Sequence, residues 1–168
     1  PDGTIWYKPK DSKEYLELRQ NKFKEWWRKW HTDVLHDDLM MPIVPNRYDT
    51  TFVVHNCYPQ LLQALEPWCD RLYVDCNYQW YVDAEQKETM FDISDKIHSI
   101  GDEMKGDVQI MFDGSKLTNE NFTSFIKNIP FIIQQTDSVG SFEWDVFQLH
   151  IFNLRTKDMV TPFFKNVF

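Results

Sequence analysis

Residues 51–76 decide the fold, and they read TFVVHNCYPQLLQALEPWCDRLYVDC. The first five, residues 51–55, form a short β-type run, which predicts a strand. Asn56 and Pro59 are typical of a helix start, and leucines at positions 61, 62 and 65 continue that helix. Residues 71–76 form a second strand-like run, so the stretch predicts a β-α-β unit.

Helical and strand-like segments continue on both sides of this unit. Phe23, Trp27 and Trp30 lie at helical spacing, and they predict a first helix from about Ser12 to about Leu35. Further segments are predicted as a strand at 79–82, a helix after Asp92 with a stripe of Ile93, Ile97, Ile100 and Met104, a strand at 108–112, a short helix from Thr118 to Pro130, and a hairpin that joins 131–136 to 142–154.

The fold class follows from this order of elements. Helices and strands both occur, and the last third favours antiparallel pairing, so an α+β fold is preferred over a doubly wound parallel sheet. We predict one domain over residues 1–168, with a long N-terminal helix packed on a mixed, largely antiparallel sheet. Residues 1–10 are predicted to be an extended arm, and residues 160–168 an aromatic tail.

Charge is distributed unevenly along the chain. Of the net charge of −8, all lies in residues 51–114, which hold four basic and twelve acidic residues. A field of that sign repels phosphate backbones, so nucleic-acid binding is disfavoured. No apolar run approaches the ~20 residues that a membrane helix needs, and three cysteines do not form a disulfide scaffold. We therefore expect a cytoplasmic protein, or one assembled in a particle made in the cytoplasm, with no membrane partner.

Aromatic residues are unusually common, at 16% of the chain, and many lie near its two ends. Large aromatic side chains are enriched at protein interfaces. These aromatic residues either pack within the core or contact another subunit, and the sequence allows both roles. The candidate partner-binding residues are Trp6, Tyr7, Trp26, Trp27, Trp30, Phe163, Phe164 and Phe168.

Most catalytic signatures are missing from the sequence. Cysteines at 57, 69 and 76 do not form the close ligand pairs of zinc sites, so no metal and no cofactor is predicted. The chain has no Gly-x-Ser-x-Gly elbow, and its five glycines form no phosphate-binding loop.

One weak pattern is Asp75 followed by Glu85-Gln86-Lys87. A carboxylate on one strand and Glu-x-Lys on the next resembles the metal-dependent nucleases with a Pro-Asp…Glu-x-Lys core. The resemblance implies that Asp75 and Glu85 hold magnesium, and that Lys87 positions the attacking water. No proline precedes Asp75, in contrast to the family pattern.

A second weak pattern covers residues 51–77 and 107–115. A strand, a helix and a strand that ends in Asp75 resemble the opening of a nucleotide-sugar glycosyltransferase, where that acid holds the nucleotide. Asp113 then stands where the family places its metal-binding acids, although Asp113-Gly114-Ser115 lacks the second aspartate.

Three features together favour a non-enzymatic role over these enzymes: aromatic chain ends, a neutral charge balance in the two terminal thirds, and no cluster of acid, base and nucleophile. The sequence predicts a structural or assembly subunit of a larger complex, homo- or hetero-oligomeric, such as a component of a virus or phage particle. The alternative is a metal-dependent enzyme that resembles a glycosyltransferase or a nuclease.

Overall fold

The computed structural model describes residues 12–157. In chain order its helices and strands are α1 (Lys13–Trp30), β1 (Leu35–His36), β2 (Pro42–Ile43), β3 (Thr50–His55), α2 (Pro59–Leu65), β4 (Arg71–Val74), α3 (Gln79–Glu85), β5 (Ile97–Ser99), β6 (Val108–Asp113), α4 (Asn119–Ser124), α5 (Ile129–Thr136), β7 (Gly140–Trp144) and β8 (Phe147–Ile151). Short 3₁₀ turns follow α2 at Glu66–Trp68 and β6 at Gly114–Lys116. Helices and strands thus occur together, as the predicted α+β class requires.

Six of the strands form one mixed sheet in the order β5-β4-β3-β6-β8-β7. Strands β5, β4, β3 and β6 run parallel, while β8 is antiparallel to both of its neighbours. The prediction of a largely antiparallel sheet is therefore wrong in its proportions. The physical reason is that β3 is buried on both faces, and such continuous burial is typical of the centre of a parallel sheet.

The parallel part contains the predicted β-α-β unit. Strand β3 leads through α2 to β4, and β4 leads through α3 to β5, so the chain moves steadily to one side. It then returns to the other side of β3 to form β6. The strand order reverses between β3 and β6, and this is where open sheets with parallel strands place their ligands.

The described helices lie in one layer on a single face of the sheet. Phe52, Leu72 and Ile110 share one apolar core with side chains from α2 and α5, such as Leu62 and Ile133. Alternate strand residues such as Val53 and Tyr73 are buried but lie outside that core. Because successive strand residues point to opposite faces, the helices all pack on the face that carries Phe52.

Helix α1 packs on the sheet layer as predicted, but it is shorter than expected. Its Trp27 ring stacks on Trp68 with ring centroids 4.9 Å apart. The helix ends at Trp30 because His31 takes the left-handed conformation with φ 53°, and its N–H donates to the Trp27 carbonyl at 2.8 Å. The Ser12 side chain caps the other end by accepting from the Tyr15 N–H.

The segment before β6 covers part of the opposite face. Thr51 Oγ1 donates to the Lys105 carbonyl at 2.6 Å, and the Tyr73 hydroxyl donates to the Glu103 carbonyl at 2.8 Å. Gly106 has φ 120° and lies so close to Thr51 that a Cβ would collide with the threonine hydroxyl. A glycine is therefore needed where this segment turns into β6.

Two predicted strands are helices. Residues 79–82 form most of α3, although Trp80 and Tyr81 are types that favour strands. Residues 131–136 belong to α5, where Pro130 is the second residue of the helix and not its stop. In α5 the buried residues Ile129, Ile132 and Ile133 have helical spacing, so tertiary burial decides the conformation.

One predicted helix is a turn followed by a strand. Asp92 Oδ1 accepts from the N–H of Ser94, which makes a local turn and not a helix start. Ile97 then pairs with Leu72 as the first residue of β5. The predicted C-terminal hairpin is wrong in its strands and its turn: the observed hairpin pairs β7 (Gly140–Trp144) with β8 (Phe147–Ile151), so both strands and the turn lie largely within the segment predicted as one long strand.

Candidate functional site

The candidate site lies where β3 and β6 end side by side. His55, the last residue of β3, is in register with Asp113, the last residue of β6. The two strands are parallel, so their carboxyl ends meet at the same edge of the sheet. We call the open space beside this edge the switch-point cleft; it has a volume of about 460 Å³.

Asn56 connects two acidic residues at this edge. Its side-chain Nδ2 donates to Asp113 Oδ1 at 3.0 Å, and its backbone N–H donates to Asp75 Oδ2 at 2.7 Å. The residue has φ 52°, a left-handed conformation that asparagine tolerates better than most residues. Left-handed residues outside glycine often mark functional sites, because the surrounding contacts must compensate for their strain.

Asp113 is a fixed and ionised carboxylate. Its Oδ1 also accepts from Ser115 Oγ at 2.6 Å and from the Ser115 N–H at 2.9 Å. The hydrogen bond from the Ser115 side chain, then that from Asn56, lowers the pKa of Asp113 to about 2. No residue within 12–157 donates a hydrogen bond to its Oδ2. This oxygen is therefore free to meet a cation at neutral pH.

Gly114 allows the loop after β3 to lie against the end of β6. A Cβ at this position would lie 3.0 Å from the Asn56 carbonyl oxygen, 3.2 Å from that of His55 and 2.5 Å from Leu61 Cδ2. Backbone atoms cannot yield as a flexible side chain can. The missing side chain is thus a condition for the contact between Asn56 and Asp113.

The switch-point cleft carries charges of both signs. His55, Asp113 and Lys116 lie on its β3 and β6 side, and Glu143 and Asp145 line it from the β7–β8 hairpin. Asp145 has φ 50° in the two-residue turn between those strands. The cleft thus offers two carboxylates opposite Asp113, and one lysine beside it.

A divalent ion fits Asp113 only together with ligand atoms. Within residues 12–157 no three histidine, cysteine, aspartate or glutamate side chains are grouped so that they could hold a metal by themselves. Magnesium ions, however, are often bound through one or two carboxylates and the phosphates of a substrate. The free Oδ2 of Asp113 can serve as the carboxylate ligand of such an ion.

Asp75, predicted to hold the nucleotide or a metal, organises the loop after β3. Its Oδ1 accepts from the Cys57 N–H at 2.9 Å, while Oδ2 accepts from Asn56. Both oxygens of this exposed carboxylate therefore cap backbone groups. Asp75 and Asp113 thus both accept hydrogen bonds from Asn56, while their convergence on one ligand stays a prediction.

The predicted nuclease set is not assembled in this way. Glu85 lies at the end of α3, on a helix and not on a strand, and its Oε1 accepts from Arg28 Nη2 at 2.6 Å and from Lys24 Nζ at 3.1 Å. Lys87 is exposed in the turn beyond that helix. The two-strand context of this resemblance is wrong, because the segment after Asp75 folds as α3.

Glu85 belongs instead to a buried ion network beneath α1. At its centre the fully buried Glu66 accepts from Arg28 Nη2 at 2.7 Å, from Lys96 Nζ at 2.6 Å and from the Tyr81 hydroxyl at 2.9 Å. Burial raises the pKa of Glu66, but Lys96 and Arg28 outweigh this effect and lower it to about 2. The network joins α1, α3 and the sheet, so its role is structural.

The cysteines offer no activated nucleophile. Burial raises the pKa of Cys69 to about 12, and it also raises the pKa of Cys57 and of Cys76. A thiol attacks as its thiolate. At neutral pH these side chains are protonated.

The candidate partner-binding tryptophans of α1 are partly buried. Trp27 stacks on Trp68, and its Nε1 donates to Asp33 Oδ1 at 2.9 Å. The rings of Trp26 and Trp30 lie 5.7 Å apart. Their contact with another subunit stays a prediction. The other candidates, Trp6, Tyr7, Phe163, Phe164 and Phe168, lie outside the described residues.

Sequence reasoning missed Asn56 as a link between two acids, and it missed three residues that line the cleft: Lys116, Glu143 and Asp145. For Asn56 a signal was present, since an asparagine directly after a buried strand is a common left-handed position. Lys116 follows Asp113 by three residues, but the two hairpin acids had no sequence signal at all.

Comparison with other proteins identifies no relative of this chain. No protein-family model matches the chain, and searches of curated proteins and of solved structures find no match either. In residues 12–157 there is also no helix whose length and apolar character would let it cross a membrane.

Proposed function

We propose that the protein is a glycosyltransferase that binds a nucleotide sugar, together with a divalent ion, in the switch-point cleft. The observation that carries this proposal is the hydrogen bond from Asn56 to Asp113 where the strand order reverses. It fixes an ionised carboxylate at the edge of the sheet where such folds bind their ligands.

The strand arrangement supports the resemblance found in the sequence. The β-α-β unit of β3, α2 and β4 leads to Asp75, and the parallel neighbour β6 leads to Asp113. In the glycosyltransferases that this stretch resembles, acids at the position of Asp113 bind the metal ion. The missing second aspartate of that motif leaves Asp113 as the single carboxylate ligand.

Each charged group of the cleft has a role in this proposal. The bound ion would neutralise the diphosphate that leaves when the sugar is transferred. Asp113 would hold the ion, and Lys116 would add positive charge beside the phosphates. Glu143 and Asp145 lie on the other side of the cleft, where a carboxylate can accept the proton of an acceptor hydroxyl.

Calorimetric titration tests the proposal. We expect nucleoside diphosphates and their sugar conjugates to bind only when Mn²⁺ or Mg²⁺ is present. Asp113→Asn should weaken that binding about tenfold or more, a loss of about 1.4 kcal/mol. The matched control is Glu88→Gln, which removes an exposed carboxylate elsewhere and should bind as the wild type does.

Two results would contradict the proposal. One is no heat of binding for any nucleoside diphosphate with either ion. The other is unchanged affinity in the Asp113→Asn variant, which would show that the ligand binds away from the cleft.

The assembly role favoured by the sequence is a second proposal. Exposed apolar side chains on α1 and around the β1–β2 hairpin support it, since large exposed apolar patches mark interaction sites. A role in a virus or phage particle stays a prediction. Assembly and transfer do not exclude each other.

A further inference from the structure

The turn between β1 and β2 presents three apolar side chains to solvent. Leu39, Met40 and Met41 are 82%, 74% and 60% exposed. The acidic residues Asp37 and Asp38 precede them and are exposed as well. We call residues 37–41 the tip; it combines an apolar end with two negative charges.

The tip has an ordered backbone. Asp37 Oδ1 accepts from the N–H groups of Leu39 and Met41, both at 2.9 Å, and the Asp37 N–H donates to the Met41 carbonyl at 2.9 Å. Met40 has φ 63° in this turn. The backbone that carries the exposed side chains is therefore ordered before any partner arrives, which lowers the entropic cost of binding.

An apolar groove of about 370 Å³ lies nearby along α1. We call it the α1 groove; it is lined by Tyr15, Leu18, Phe23, Trp26 and Val34, with the basic residues Arg19 and Lys22. Because Val34 lines the groove and Leu35 begins β1, groove and tip belong to adjoining surface.

We propose that the tip of one copy of this chain docks in the α1 groove of a second copy, and that the exchange is reciprocal. Apolar side chains of the tip meet the apolar floor, and Asp38 meets Arg19 or Lys22. A self-complementary patch of this kind produces a closed two-fold dimer. This inference does not depend on the transferase proposal.

Sedimentation velocity of the full chain over a dilution series tests the dimer. The wild type should sediment as a species whose mass is about twice the 20.3 kDa of one chain. The double variant Leu39→Ser, Met41→Ser should have a dimer dissociation constant at least about tenfold higher than that of the wild type. Met90→Ser, which removes another exposed methionine outside both surfaces, should leave the dimer unchanged.

Charge reversal tests the pairing of tip and groove. Asp38→Lys, or Arg19→Glu with Lys22→Glu, should each weaken the homodimer, because like charges then face each other. A one-to-one mixture of the two variants should restore dimers, since every contact again joins opposite charges. The restored mixture would also show that both variants are folded.

Three outcomes would overturn the inference. These are a monomeric wild type, a dimer that the tip variant leaves intact, and a mixture of charge variants that stays monomeric. A monomer would mean that a different protein, or no partner, covers the groove.

Discussion

The side-chain amide of Asn56 donates a 3.0 Å hydrogen bond to Oδ1 of Asp113, and so joins the ends of two neighbouring parallel strands. The same asparagine donates its backbone N–H to Asp75. One residue thereby sets the position of both acids that the glycosyltransferase resemblance singles out. Changes at this residue should alter the candidate site without touching the core.

Two substitutions of Asn56 distinguish the stability that its side chain contributes from the stability that depends on its backbone conformation. Asn56→Gly keeps the left-handed backbone and removes the hydrogen bond, so we expect a loss of about 1 kcal/mol in the free energy of unfolding. Asn56→Ala should lose roughly 1–2 kcal/mol more, because alanine is strained at φ 52°. Urea denaturation measures both. Equal stability of the two variants would show that the left-handed conformation is not required.

The pKa of Asp113 should respond to its donors in a fixed order. Removing a donor disfavours the ionised form, so the pKa should rise from about 2. Ser115→Ala should raise it more than Asn56→Gly does, since the serine hydroxyl makes the larger contribution. NMR titration of the Asp113 carboxyl carbon gives the values. A pKa that stays at about 2 in both variants would contradict the role of these donors.

Gly114→Ala should damage the junction between β3 and β6. The new methyl group would press on the Asn56 and His55 carbonyl oxygens, and overpacking of this kind costs about 1–3 kcal/mol. Gly101→Ala is the matched control, because a Cβ at that position meets no atom within 4 Å. Its stability should stay the same or rise slightly. Thermal or urea unfolding measures the stability of both variants. An equal loss of stability in the two would argue against a special packing role for Gly114.

Stability should fall in acid as Glu66 becomes protonated. The pKa of Glu66 is lowered in the folded state, so its contribution is complete above the ordinary value of 4.5 and disappears as the pH falls through about 2. The free energy of unfolding, measured in urea between pH 6 and pH 2, should decrease across that interval.

Glu66→Gln tests the same network at neutral pH. The amide leaves the buried cations Arg28 and Lys96 without their central anion, and such a loss costs about 3–5 kcal/mol. The variant should also show a flatter decline below pH 4.5. Glu88→Gln, an exposed change close to α3, serves as the control. A Glu66→Gln protein as stable as this control would show that the network does not support the fold.

Elements whose signals are local could be predicted from the amino-acid sequence. The apolar run of β3, the Pro59 start of α2 and the Thr118 cap of α4 each depend on neighbouring residues, and all three are present. The predicted start of α1, at about Ser12, is also present, since α1 begins at Lys13. Asp75 and Asp113 could be chosen because both follow strand-like runs.

Features that depend on pairing between distant segments arise only when the chain folds. Residues 97–99 became a strand because β4 offered an open edge, although Ile93, Ile97 and Ile100 lie at helical spacing. Likewise, the pairing of β3 with β6 brings Asn56 to Asp113, 57 residues further along the chain, and the hairpin acids reach the cleft only because β8 pairs with β6. Hydrophobic periodicity records which side chains are buried but not which neighbour buries them, so strand order and the site built on it arise only in the folded chain.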